Sequence, residues 1–280
     1  MKKLTTKQYE DFSMGGKVPI ISETENDDIH LETGVYVIED KNISKMMKAI
    51  SDKKHMKLSK DGKLGSSYKE VDIFFRLICD GDKGYDFKGK NVLIVGTSNG
   101  WYEAWVLAYG GTPYVLEYMN IEYDGDRINY IDMKQAKKLS KKKGFQFDYC
   151  ISFSTFEHSG LGRYGDEVDA DGDLKAMEEV RDLLPLGGQM FLAVPIGVDR
   201  VVYPMHRIYG VERAPYLFNQ WHLKGISGFW WFQFKGDFGV GHQPIFILEK
   251  DDEVFYNVNF YKDLIRFGMV SHIANMLDIF

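Results

Sequence analysis

Asn91-Val92-Leu93-Ile94-Val95-Gly96-Thr97-Ser98-Asn99-Gly100-Trp101 is an apolar strand, a turn of small polar residues and the start of a helix. Small side chains in such a turn let the backbone approach a nucleotide closely. A dinucleotide fingerprint would place glycines at 96, 98 and 101, but Ser98 and Trp101 stand at the last two. An indole at 101 obstructs the tight helix–sheet packing that glycine permits, so NAD or FAD binding is disfavoured. No Gly-Lys-Ser/Thr follows, which removes a Walker phosphate loop as well.

Outward from this turn, short apolar runs alternate with helix-period segments, the pattern of βαβ units and a parallel sheet. Strands are expected at Asn91–Gly96, Pro113–Tyr118, Phe147–Ser154 and Gln189–Val194, and helices at Trp101–Tyr109, Met133–Lys142 and Leu174–Leu184. Asp173 is placed to N-cap the third helix, and Gly187-Gly188 to end it. Gly228–Phe234 and Pro244–Glu249 read as an antiparallel hairpin at the sheet edge. The organised domain therefore spans 91–250. Residues 1–90 are polar and lysine-rich, and read as an N-terminal extension serving as lid or interaction region. They include a short strand at Val35–Ile38 and an amphipathic helix near Tyr68–Cys79, where Val71, Phe74, Phe75 and Ile78 repeat at helical spacing. Residues 251–280 read as a C-terminal helix over Tyr261–Leu277, packed on the domain.

With 44% hydrophobic residues, the 280-residue chain can build a sizeable core. Its formal charge of −6 argues against nucleic acid as a partner, which would call for a basic face. Only Cys79 and Cys150 are present, so a disulfide framework is not expected and a reducing compartment fits. The polar start shows no secretory leader, and no apolar run approaches the ~18 residues of a membrane span, which points to a cytoplasmic protein. Aromatic residues make up 15% of the chain; most fill the core, and some are available to line a ligand site. Lys134, Lys137, Lys138, Lys141, Lys142 and Lys143 read as the solvated face of one helix.

Glu117 closes the second strand, where an acid can accept both ribose hydroxyls of a nucleoside. The spacing Gly96-x-x-x-Gly100 resembles the first motif of class I S-adenosylmethionine-dependent methyltransferases, with Ile94 in place of the usual acid and Ser98 in place of the middle glycine. Further blocks carry a more specific resemblance. Trp101-Tyr102-Glu103-Ala104, Glu117-Tyr118, the run Phe147 to Asp166, Gly172-Asp173-Leu174-Lys175-Ala176, His206-Arg207-Ile208-Tyr209-Gly210 and Asn219-Gln220-Trp221 are similar to a methyltransferase-like family catalogued as domain of unknown function 268. The resemblance covers about Asn91 to Trp221. It implies a Rossmann-like class I methyltransferase fold: an α/β protein with a mostly parallel sheet, an antiparallel C-terminal hairpin and an N-terminal extension. It also implies S-adenosylmethionine as cofactor, held by Gly96, Thr97, Ser98, Gly100, Glu117, Asp132 (toward adenine) and Ser154.

A hydroxyl acceptor must lose its proton during transfer, which calls for a base that titrates near neutrality. His158, just past the C-terminal end of a central strand, is the first candidate; His206 and Glu157 stand behind it. Glu157, Arg163, Tyr164, Asp166, Arg207 and Trp221 are the candidate acceptor-binding residues, since carboxylates and an arginine can bracket vicinal hydroxyls. Glu167-x-Asp169-x-Asp171-Gly172 approaches an EF-hand loop, but Lys175 interrupts it and the glycines before it exclude an incoming helix, so no metal is expected. The leading expectation is an O-methyltransferase acting on a sugar, glycan or similar small polyhydroxylated acceptor. A catalytically inactive binding or scaffold protein of the same fold is the alternative, favoured by Ile94 and Ser98. The partner is expected to be the acceptor molecule, with a homo-oligomer left open.

Overall fold

In a computed structural model, the described residues are 4–22, 34–52, 85–228, 231–237, 239 and 241–251. The chain runs α1 (Thr6–Phe12), β1 (Ile20–Ser22), β2 (Val35–Ile38), α2 (Asp40–Ser51), β3 (Asn91–Val95), α3 (Trp101–Ala108), β4 (Thr112–Leu116), β5 (Asn120–Tyr123), β6 (Asn129–Ile131), α4 (Met133–Ser140) and β7 (Tyr149–Phe153). It continues through α5 (Gly172–Leu183), β8 (Gln189–Ala193), β9 (Arg200–Tyr203), β10 (His206–Ile208), α6 (Ala214–Leu217), β11 (Trp221–Ser227) and β12 (Ile245–Lys250). The helices expected near 68–79 and 261–277 lie outside the described residues.

Seven strands form the main sheet in the order β11-β12-β8-β7-β3-β4-β6. By contact pattern the chain divides into two units: Gly34–Phe153 with Leu183–Phe191, and Met1–Thr33 with Ser154–Asp182 and Leu192–Phe280. The described residues ahead of β3 are shared between them, β2 and α2 falling in the first and α1 and β1 in the second.

In the first unit, β3 is central. Val92, Leu93 and Ile94 are fully buried, as a strand covered on both faces demands, which is why its sequence is apolar without alternation. It runs parallel to β4 and to β7, with Val95 opposite Leu116 and Ile94 opposite Ile151. The chain therefore leaves β3 and β4 at the same end of the sheet, where Gly96 and Glu117 follow. β2 pairs in parallel with β5 through Val35↔Asn120 to Ile38↔Tyr123. Asp40, opening α2, accepts from Tyr123 Oη at 2.5 Å and Arg127 Nε at 2.9 Å, so an ion pair fastens α2 to the segment after β5. Gly100 has φ +79°, and a side chain there would strike Ile43 of α2 and Ile38 of β2. Glycine at that corner thus serves both backbone conformation and close packing.

In the second unit, β1, β9 and β10 form a small sheet, β1 parallel to β9 and β10 antiparallel to it. Phe12, Val18, Leu161, Val201 and Tyr203 make a buried cluster there, joined by Leu4, Ile20 and Val168. β11 and β12 are antiparallel, with a bulge between Leu223 and Gly225.

Two expectations need correction. The strand opposite β12 is Trp221–Ser227 rather than Gly228–Phe234, because the chain turns at Gly228 (φ +75°) and Trp231–Lys235 coil into a 3-10 helix. Asp173 does not cap α5 from outside. It lies within the first turn, fully buried, its carboxylate bound by Arg213 at 2.5 Å and Tyr209 Oη at 3.0 Å, with Arg207 at 3.7 Å.

Candidate functional site

The glycine turn after β3 belongs to the first unit. Gly96 and Gly100 both sit at φ +79°, a region that L side chains rarely adopt. Asn99 Oδ1 accepts from the Trp101 N–H at 3.0 Å, satisfying one of the free donors at the start of α3. Ser98 and Asn99 are exposed, and Thr97 donates its backbone N–H to Glu117 Oε2 at 2.8 Å. Glu117 Oε1 accepts from the N–H groups of Tyr118 and Met119 at 2.7 and 3.1 Å. Its carboxylate is thereby fixed, and Oε2, which accepts a single bond, keeps acceptor capacity for a further donor. Asp132 is the N-cap of α4, closing a capping box with Gln135 at 2.7 Å.

The acceptor-side candidates belong to the second unit. Ser154, directly after β7, adopts φ +57°, an uncommon conformation for serine of the kind that clusters at functional sites. Its hydroxyl donates to Glu157 Oε1 at 2.6 Å and accepts from Gln243 Nε2 at 3.0 Å. Glu157 is buried, with Oε2 unpartnered among the described residues, and burial pushes its carboxyl above the ordinary range.

His158 Nδ1 lies 2.5 Å from the Met205 carbonyl oxygen. A carbonyl only accepts, so Nδ1 carries the proton and Nε2 presents its lone pair. Nε2 is 3.7 Å from Glu157 Oε1, and the ring meets Tyr164 edge-on at 5.7 Å. Arg163 lies over the Tyr164 ring at 5.2 Å and donates to the same Met205 carbonyl at 3.4 Å. His206 follows in β10. Burial, helped by the neighbouring His158, Arg163 and Arg200, lowers it to about 4 and keeps it neutral near pH 7. The structure thus brings Glu157, His158, Arg163, Tyr164 and His206 together.

Three expected acceptor residues have other duties. Asp166 accepts from the backbone N–H groups of Gly160, Gly162 and Tyr164 at 2.7, 3.2 and 3.2 Å, which moulds the glycine-rich loop. Arg207 is buried and donates to the carbonyls of Ser159 at 2.6 Å and Ala170 at 3.2 Å, with longer contacts to those of Glu157 and Asp169. Its guanidinium ties the loop down in place of offering itself to a ligand. Trp221 is buried at the start of β11. Two of the acids that suggested an EF-hand bind elsewhere: Asp169 to Lys175 and the Asp171 N–H, and Asp171 to Arg213. No group of three or more His, Cys, Asp or Glu among the described residues is placed to hold a metal ion.

Sequence reasoning missed the Met205 carbonyl and Gln243. A backbone carbonyl has no sequence signature, and Gln243 lies in a loop without periodicity. It also missed Glu103, although an acid amid the buried face Trp101, Ala104, Trp105 and Val106 was a legible anomaly.

The strand order, with β6, β4, β3 and β7 successively parallel and the antiparallel pair β12 and β11 at one edge, defines a Rossmann-like, class I methyltransferase-like fold. The chain belongs to the family described as "Caenorhabditis protein of unknown function, DUF268", whose model matches residues 89–229, half of the chain. No curated protein matches it. Among solved structures, it is similar to Burkholderia thailandensis 1,6-didemethyltoxoflavin-N1-methyltransferase with bound S-adenosylhomocysteine, at 12% identity and a TM-score of 0.42, covering 75% of this chain and 89% of that one. It is also similar to the N-methyltransferase NodS from Bradyrhizobium japonicum in complex with S-adenosylhomocysteine, at 12% identity and a TM-score of 0.39, covering 66% and 86%.

Proposed function

We propose that the chain is an S-adenosylmethionine-dependent O-methyltransferase acting on a hydroxyl of a sugar, glycan or similar small polyhydroxylated acceptor. The observation that carries this reading is the 2.5 Å approach of His158 Nδ1 to the Met205 carbonyl, which calls for a proton on Nδ1 and leaves the Nε2 lone pair to act as a base. The residues of the glycine turn fit the cofactor. Gly96 and Gly100 hold left-handed conformations without a Cβ, and the fixed Glu117 carboxylate can accept ribose hydroxyls. Thr97 and Ser98 would flank it, Asp132 at the start of α4 would meet adenine, and Ser154 is the further residue proposed to hold it. When bound, this cofactor supplies a methyl group on a sulfonium and departs as the neutral thioether.

His158 Nε2 takes the proton of the acceptor hydroxyl as the oxygen gains the methyl group. The imidazolium so formed faces Glu157 at 3.7 Å, and a negative charge there stabilises it. Arg163 and Tyr164 orient the acceptor, Tyr164 offering an apolar face to a sugar ring. The acidic charge of the chain favours an uncharged acceptor over a polyanion. The test incubates the full chain with methyl-tritiated S-adenosylmethionine and a panel of free sugars, nucleotide-linked sugars, peptides and lipids. Label in the sugar fraction is expected; label only in peptide or lipid would overturn the acceptor class. A catalytically inactive binding protein, the reading that Ile94 and Ser98 favour, would give no label in any fraction.

A further inference from the structure

Glu103 is 0% exposed on the inner face of α3, and neither carboxyl oxygen has a hydrogen-bond partner among the described residues. The Thr97 hydroxyl and the Tyr130 hydroxyl are likewise buried and unpartnered. These groups are neighbours. Thr97 is close enough to lower the proton affinity of Glu103 but outside hydrogen-bond geometry, and Glu103 and Tyr130 act on each other electrostatically. Thr97 is shared, because its backbone N–H holds Glu117 while its side chain faces Glu103. A buried carboxylate without donors is costly, and a carboxylic acid in the same place supplies a donor instead.

We infer that Glu103 in its carboxylic-acid form is a positioning residue, steadying the Thr97–Glu117 corner for the ribose of an adenosine cofactor, and that its ionised form loosens that corner. This rests on the cofactor reading given above. The acid O–H can turn to the Thr97 hydroxyl, while the ionised form adds a second negative charge that acts on Glu117. The titratable groups facing Glu103 are Glu117 at the end of β4 and Tyr130 on β6; beyond Tyr130 stands Tyr123, itself bound to Asp40 near Arg127. Burial, with Glu117 adding to it, pushes Glu103 up to about 7, so the two forms exchange near neutrality.

The experiment titrates S-adenosylhomocysteine into the full chain at about pH 6 and about pH 8, for the wild type and Glu103→Gln, and measures urea unfolding of the unliganded proteins over the same range. If only the acid form is competent, wild-type affinity falls about tenfold from the lower to the higher pH, since the competent fraction falls by that factor. Glu103→Gln, permanently neutral, is expected to keep the low-pH affinity throughout. A folded-state value raised from 4.5 to about 7 contributes stability that is present below 4.5 and lost as pH rises through 7. Glu103→Gln should flatten that decline. Binding by both proteins with the same pH dependence overturns the inference and leaves the cofactor reading standing. Absence of binding by either at both pH values overturns the cofactor reading and this inference with it. If Glu103→Gln does not fold, Thr97→Val carries the test: it is expected to weaken binding at low pH and to shrink the pH effect, and an unchanged pH effect overturns the inference.

Discussion

The Met205 carbonyl selects the tautomer of His158, and with it the direction in which this histidine can act. Removal of a general base costs about 10²- to 10⁴-fold, so His158→Ala should lower kcat by that order while leaving S-adenosylhomocysteine affinity within a few-fold. His206 is the weaker candidate base, since burial holds it near 4. That depression has its own consequence. The stability it contributes is present above 6.5, the unfolded value, and is lost as pH falls through 4. Urea midpoints measured across that interval should decline less steeply in His206→Gln. At Glu117 three N–H donors hold the carboxylate in place. A charge-assisted bond is worth about 1.5–3 kcal/mol, so Glu117→Ala should weaken S-adenosylhomocysteine binding roughly 10- to 150-fold, read by calorimetry. His158 and Glu117 were legible because each follows a strand end. Their partners were not, being backbone groups.

Among the elements, the loop from Ser159 to Asp171 and the start of α5 carry Arg163 and Tyr164 and a network of buried charges. Asp166 gathers three backbone donors, and Arg207 and Arg213 clamp Asp173 and nearby carbonyls. Cutting one member from a buried ion network strands the others, at a cost of about 3–5 kcal/mol. Asp173→Ala should therefore lower the urea midpoint substantially, and Gly160→Ala should also destabilise, because a side chain there meets the Asp169 carbonyl and Gly172. The sequence patterns gave strands β3, β4, β7 and β8 to within a residue or two at most ends, since buried parallel strands are unbroken apolar runs. They misplaced the partner of β12. Aromatic density in Gly228–Phe234 looks like a strand, while Trp221–Ser227, with His222, Lys224 and a bulge, looks like a loop. They also misread Asp173 as a cap, because the arginines that claim it arrive from far along the chain.

Across the whole molecule, the main sheet was legible and the division of the N-terminal region was not. β2 and α2 join the glycine-turn unit while α1 and β1 join the other, and no composition shift separates them. No helix among the described residues is long and apolar enough to cross a membrane. Asp166, Asp169, Asp171 and Asp173 are engaged by lysine, arginine and backbone donors, so methyl transfer should proceed unchanged in the presence of a chelator, as an assay with and without EDTA would show. The proposed role of the Gly96–Gly100 turn and Glu117 is to hold an adenosine cofactor. Calorimetric titration of the full-length chain with S-adenosylhomocysteine tests it most directly. A dissociation constant in the micromolar range, about −8 kcal/mol, is predicted; the absence of binding at millimolar ligand by the folded protein would contradict it.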